Sequence, residues 1–246
     1  MRPGDDPRGE RGREPPGAAD AIAEGVRGAR VGEIPGRLCG VAVDLLPVTC
    51  ASVSLHSAGV PVQLGASSAQ AAYVTEVQAT LGDAPCHYVA RTGTAVLARD
   101  LTAGRDVLRW PVFAQQATAA GVRAVYSLPL GDGAVCVGTL DLYRDRPGTL
   151  TDPELRTARL VAGLITAALT ALPRAREDDE DGREWWLGGL GAGHDSVHQA
   201  TGMIMAQLGL GTDEALARLR AHAFAHGRTA LDLARDVVAR RTRFER

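Results

Sequence analysis

The chain has 246 residues, and 45% hydrophobic content against 23% charged residues is the balance of a chain that buries a core, which excludes wholesale disorder. Formal net charge is only −2, and every basic residue is an arginine; with neither Lys nor Asn present, chemistry that needs a lysine amine or an asparagine amide is excluded. No apolar run reaches the roughly 18 residues of a membrane span, and the charged, Gly/Pro-rich start lacks an apolar signal core, which predicts a cytoplasmic protein with no membrane partner.

Residues 1–17 alternate charge with Gly and Pro and read as a flexible tail. From Ala18 to Leu46 the pattern is mostly helical, interrupted by Pro35 and stopped at Pro47. Cys50–Ser57 then sets Ala51, Val53 and Leu55 against small polar residues, the alternation of a half-buried strand. Val60–Ala66 follows after Ala58-Gly59 as its hairpin partner, and Ala69–Leu81 is helical. Thr94–Leu101, Val125–Leu130 and Ala134–Tyr143 read as strands; a helix at Pro111–Ala120 separates the first two, and Gly131-Asp132-Gly133 joins the last two. Thr151-Asp152-Pro153-Glu154 is a capping box that opens a helix to Leu172, ended by Pro173. Strands with hairpins, lateral helices and a closing helix make residues 18–172 an α+β layered domain.

Residues 173–191 form an acidic linker, with the run Glu177–Asp181 and the pair Trp185-Trp186. Residues 192–246 are helical throughout and modestly basic. Asp195 or Ser196 caps a first helix that stops at Gly209. Thr212 caps a second, with Asp213 and Glu214 in its first turn, ending at Gly227. Thr229 with Asp232 opens a third that reaches Arg241 or beyond. Val197, Ala200, Ile204 and Leu208 form one apolar stripe; Leu216, Leu219 and Ala223 form the second; Leu231, Ala234, Val237 and Val238 form the third. Three short stripes facing one another predict an all-α three-helix bundle.

Residue chemistry narrows the function. The four cysteines, Cys39, Cys50, Cys86 and Cys136, lack C-x-x-C spacing and are expected to be free thiols. His194-Asp195-Ser196-Val197-His198 imitates the spacing of a zinc protease, but a cap at Asp195 or Ser196 puts the two imidazoles on different faces, so no metal is expected. No G-x-S-x-G, P-loop or dinucleotide fingerprint occurs, so the chain is expected to be neither an enzyme nor a cofactor carrier. Gly202 stands out because a glycine inside a helix costs about 1 kcal/mol relative to alanine. It lies off the apolar stripe beside Gln199 and Ala206. The low patch they make suits either a nucleic-acid backbone or a helix–helix contact within the protein. The helix Leu155–Leu172 carries Ala158, Val161, Ile165, Ala168 and Leu172 at near-heptad spacing, which predicts a homodimer through this seam; the alternative is that the helix covers its own sheet.

The run HQATGMIMAQLGLGTDEALARLRAHAFAHGRTALDLARDVVARR resembles an ANTAR domain. The match is carried by Ala200, Gly202, Ile204 and Met205, by Glu214, Ala215, Leu219, Arg220 and Ala223, and by Leu231, Leu233, Ala234, Val237 and Val238. Where that family often has a lysine before the helix-one glycine, this chain has Thr201. The resemblance implies RNA binding, with Gln199, Thr201, Gly202, Arg220, Arg228, Thr229 and Arg235 as the candidate contacts. Its expected partners are paired stem-loops in nascent transcripts, and its expected activity is transcription antitermination. A helix-turn-helix that binds DNA is the alternative, because Thr212–Arg241 turns at Gly227. Upstream, VQATLGDAPCHYVARTGTAVLARDL, SLPL at 127–130 and GTLDLY at 138–143 resemble a GAF domain of the kind that precedes ANTAR modules, which implies a sensor pocket for a small molecule of unknown identity. Cys86-His87 is similar to the bilin-carrying dipeptide of photoreceptor GAF domains but stands in another context, so a chromophore is not expected, while a redox-responsive Cys86 stays open.

Overall fold

The structure, a computed structural model, describes residues 17–57, 60–132, 135–175 and 195–245. The tail, the linker with Trp185 and Trp186, His194, and the turn residues Ala58, Gly59 and Gly133 lie outside the described residues. Five strands, β1 (Cys50–Ser57), β2 (Val60–Ala66), β3 (Val96–Ala98), β4 (Ala124–Asp132) and β5 (Val135–Arg144), form one antiparallel sheet in the order β2-β1-β5-β4-β3. Helices α1 (Ala18–Val26) and α2 (Ile34–Leu45) precede it, and Pro35 sits in the first turn of α2, where its missing N–H costs nothing.

The two-residue period of the strands sorts the sheet into two unlike faces. Ala51, Val53, Tyr126, Leu128, Leu130, Leu140 and Leu142 pack under α1, α2 and α7 (Asp152–Ala175) in an apolar core. The opposite face meets α3 (Ala69–Leu81), α4 (Pro85–Thr92) and α6 (Pro111–Ala119), with α5 (Gly104–Arg109) leading into α6. There, apolar Val125, Val96 and Ala98 flank a polar centre of Ser52, Ser54, Ser127, Thr139 and Asp141, every one of them buried. The polar side of β1 therefore faces a second layer of helices rather than solvent, so the strand is covered on both faces at Ser52 and Ser54.

Three further expectations change. The strand expected at Thr94–Leu101 shrinks to Val96–Ala98, because the Asp106 carboxylate accepts from the Arg99 and Asp100 amides and Asp100 accepts from the Thr102 amide. Side chains bind that backbone in place of a ladder. Helix α7 opens on the expected box, in which the Thr151 amide donates to Glu154 Oε2 at 2.6 Å, but it runs past Pro173 to Ala175. A proline in a last turn removes one hydrogen bond and does not end the helix. The dimer seam is also corrected. Ala158, Val161 and Ile165 are fully buried in the core beneath the chain's own sheet, so the near-heptad spacing reflects sheet packing. The outer face of α7 carries Leu160, Gly163, Leu164 and Ala167.

The C-terminal bundle consists of α8 (195–208), α9 (Thr212–Ala225) and α10 (Ala230–Val238). Ile204, Leu219, Ala223, Ala234 and Val237 meet at its centre, joined by Leu233, which the stripe omitted, and by Val60 of the sheet domain. Asp195 and Ser196 already lie within α8, and Thr212 is the first residue of α9, so none of the three caps as expected. The Thr212 hydroxyl turns instead toward Met205 Sδ, 3.6 Å away. Thr229 does cap α10, accepting from the Asp232 amide at 3.1 Å. That helix ends at Val238 instead of Arg241, and Arg240 follows in a left-handed conformation that a helix cannot continue through. Among the described residues no helix is long and apolar enough to cross a membrane.

Candidate functional site

Two sites emerge, one in each domain. The first is the polar stripe between the sheet and α3–α4. Strand pairing puts Ser54 opposite Thr139 and Ser52 opposite Asp141, with Ser127 opposite Asp141 on the other side. Tyr143 OH lies 3.0 Å from Ser52 Oγ and accepts from Gln78 Nε2 at 3.2 Å. Gln78 Oε1 in turn accepts from the Cys86 amide at 3.1 Å, which ties α3 to the start of α4. Asp141 is held by the Ser127 and Thr139 hydroxyls. Burial pushes its carboxyl up to about 6, and those hydrogen bonds oppose the rise.

His56 and His87 close the stripe with their ring centroids 5.8 Å apart, edge to face. Burial lowers His56 to about 4; burial, with Arg220 adding, lowers His87 to about 3, so both are neutral at physiological pH. Ser54 Oγ, His56 Nε2 and His87 Nε2 are buried without a hydrogen-bond partner. A neutral imidazole pair, a hydroxyl and a carboxyl converging in an enclosed layer can recognise a small polar molecule through directional hydrogen bonds. Cys86 Sγ sits 3.4 Å from His87 Nδ1, and burial pushes the thiol well above its ordinary pKa. A fully buried, protonated thiol is a poor redox sensor, which weighs against that role for Cys86. All four cysteines are free, and the described residues hold no group of three or more metal-ligating side chains.

The second site is the surface of the C-terminal bundle. Gln199, Gly202 and Ala206 are exposed along one face of α8, and a Cβ built on Gly202 meets nothing within 4 Å. A helix–helix contact within the described chain therefore does not explain this glycine. Thr201 points the other way: it is buried, and its hydroxyl donates to the Val197 carbonyl at 2.7 Å, which removes it from the surface set. Arg228 is half-buried, pairs with Asp236 at 2.7 Å and donates to the Asp232 carbonyl; Arg241 joins the same carboxylate. Arg235 is exposed, 3.8 Å from Asp232. Arg220 is drawn into the sheet domain, where Nε donates to the Ala79 carbonyl at 3.0 Å. Thr229 is spent on its cap. Gln199, Gly202 and Arg235 are thus the candidates left facing solvent.

A GAF domain model matches residues 29–170, more than half of the chain, and an ANTAR domain model matches 192–238. The chain belongs to the GAF domain family and carries a C-terminal ANTAR domain. No curated protein matches it. Among solved structures it is similar to the GAF domain of an Acinetobacter phosphoenolpyruvate-protein phosphotransferase, at 8% identity over 67% of this chain and 95% of that one, with a TM-score of 0.48. It is also similar to free methionine-R-sulfoxide reductase from Neisseria meningitidis, at 12% identity over 64% and 89%, TM-score 0.48. A third is the GAF domain/HD domain protein from Geobacter sulfurreducens, at 12% identity over 61% and 95%, TM-score 0.45. The GAF–ANTAR architecture joins a sensor domain to an RNA-binding regulator module, and the protein is regulatory.

The polar stripe is the part of the site that sequence reasoning missed. Its signal was present: helical segments outnumber what one sheet face can hold, so Ser52, Ser54 and Asp141 had to be covered by some of them.

Proposed function

We propose that this GAF–ANTAR protein is a cytoplasmic antitermination regulator whose ANTAR module binds stem-loops in leader transcripts, under control of a small polar ligand held by the buried stripe of the GAF domain. The observation that carries the RNA half is Gly202, a mid-helix glycine that faces open solvent. Such a position sacrifices about 1 kcal/mol of helix stability with no packing return, and close approach of a partner's backbone supplies the reason. RNA loops splay unstacked bases, so a compact helical face with Arg235 at its margin is sufficient, and no helix has to enter a DNA groove. In this role the protein acts as a homodimer, so that two modules engage two adjacent stem-loops and the second contact gains from effective concentration. Sedimentation of the RNA-free protein at micromolar concentration checks this, and a monomer there leaves only RNA-induced pairing.

The test begins with in vitro selection on the full chain from a library of RNA hairpins with randomised loops. Gly202→Leu should leave the melting temperature unchanged or raise it, yet weaken binding of the selected RNA by about tenfold or more. Arg235→Ala should weaken binding across loop sequences and reduce the slope of log affinity against log salt by about 1. Equal affinity for a random DNA duplex at the same salt supports the helix-turn-helix alternative instead.

A further inference from the structure

The Gly82-Asp83-Ala84 turn between α3 and α4, part of the segment that carries the GAF resemblance, belongs neither to the polar stripe nor to the open face of α8. It is used by the ANTAR module. Arg220 Nε donates to the Ala79 carbonyl at the end of α3, and a Cβ on Gly82 would stand 2.9 Å from Arg220 Nη1. Gly82 adopts φ +70°, so a residue without a side chain both makes the turn and leaves room for the guanidinium. One turn away, the Ala230 amide donates to Thr80 Oγ1 at 2.8 Å in a buried bond between the two domains. Ala230 opens α10, and amides in the first turn of a helix have no partner inside it. Thr80 supplies that partner from the GAF domain. Between these contacts Glu76 is half-buried facing Asp232 and Arg235, and its carboxyl is pushed up to about 7, by burial first and then by Asp232.

We infer that the end of α3 and the Gly82 turn form a docking seat for α9 and α10, and that the docked module is held off RNA because the seat takes up Arg220 and closes over the start of α10 at Ala230. The inference rests on the RNA reading above and adds its regulation. Three of the residues implied as RNA contacts, Arg220, Arg228 and Thr229, line the domain junction, whereas Gln199 and Gly202 stay open on the far helix. Arg228 and Thr229 are held by bonds within the module itself, so of these three it is Arg220 that docking takes out of reach. The junction is imperfectly filled: a groove of about 520 Å³ remains between Leu81, Val112, Trp110 and Phe224, as suits a contact that opens and closes. The seat is also the outer wall of the polar stripe. Gln78 faces the stripe, while Ala79 and Thr80, its next neighbours on α3, hold the module.

Hydrogen exchange of the Ala230 amide in the full chain reads the docking directly, because α10 alone cannot protect it. Thr80→Val keeps the shape of the side chain and leaves that amide buried without an acceptor. The amide should be protected in the RNA-free wild type and lose protection in Thr80→Val. The variant should then bind hairpins from the selected pool about fivefold or more tightly, since the apparent affinity rises with the undocked fraction. Adding the same RNA to the wild type should also strip the protection. Fast exchange at Ala230 in the RNA-free wild type overturns the docking. Lost protection in Thr80→Val with unchanged or weaker RNA binding overturns the competition. If the pool yields no RNA bound by either protein while Ala230 stays protected, it is the RNA reading that fails, and the competition with it. A melting temperature for the GAF domain of Thr80→Val close to that of the wild type keeps these outcomes separate from misfolding.

Discussion

Replacing Ile165 with Asp is expected to unfold the sensor domain rather than to split a dimer. Ile165 is fully buried between α7 and the sheet, with Ala158, Val161 and Ala162 beside it in the core that includes Leu128, Leu130 and Leu140. The change removes a large aliphatic side chain and leaves a carboxylate with no polar partner in that apolar layer. Loss of buried area alone costs about 2–5 kcal/mol, and desolvation of the carboxyl adds to it. Domains of this size are stable by only about 5–15 kcal/mol, so the variant should be largely unfolded or insoluble. Leu164→Asp, one residue earlier on the same helix, is the control: Leu164 is 38% exposed and should tolerate the charge with a change of well under 1 kcal/mol. Circular dichroism melts of both variants decide the matter. A folded, monomeric Ile165→Asp protein would show that α7 is free for a partner and that its packing under the sheet is not what the geometry describes.

In a Glu76→Gln protein, which lacks the raised carboxyl at the domain junction, acidification is expected to destabilise the sensor domain, and the buried imidazoles set the direction. His56 and His87 drop from 6.5 to about 4 and about 3 on folding, whereas Asp141 rises from 3.8 to about 6. Between pH 6 and pH 4 the unfolded chain holds both imidazole protons and the folded chain holds neither. Over the same range folded Asp141 holds a proton that the unfolded carboxylate has lost. The unfolded state thus binds more protons, and stability falls as pH falls. The stabilising term from the histidines is complete above pH 6.5 and is lost towards pH 4 and 3; that from Asp141 runs the other way, present at low pH and lost as pH rises through 6. In the Glu76→Gln protein two groups stand against one, and the melting temperature should fall by roughly 5–10 °C from pH 7 to pH 5; in the wild type Glu76, pushed up to about 7, opposes the histidines as Asp141 does and levels the curve. Added to Glu76→Gln, the pair His56→Gln, His87→Gln should flatten or invert that fall, and Asp141→Asn should steepen it. A Glu76→Gln melting temperature that holds level across the range, or the same slope after the two histidine changes are added to it, would mean that the two rings reach solvent.

Legibility varied with how local the cause was. The Thr151–Glu154 box, the Thr229 cap, the β4–β5 pairing and the three bundle stripes rest on residues within one or two turns of each other, and their chemistry acts wherever the chain goes. Helix α4 was not legible, because eight residues that begin at Pro85 are too few for a period, and its buried face includes Cys86 and His87. The glycine at 202 was legible as an anomaly, but which way it faced was not.

By itself the sequence determined the domain order, the α+β and all-α classes, the families that the two segments resemble and the residue types available for binding. Alternation and helical period encode which residues share a face, and that is enough for these conclusions. Which face meets which layer is a matter of long-range packing, and only the tertiary structure decided it. The spacing of Ala158, Val161 and Ile165 serves a sheet as well as a second helix, and the sheet lies over it. Ser52 and Asp141 fit a solvent face as well as an interior, and α3 and α4 enclose them. Arg220 fits an RNA backbone as well as the Ala79 carbonyl, a partner 141 positions away in the chain, and a contact across that separation leaves no periodic trace in the residues around it.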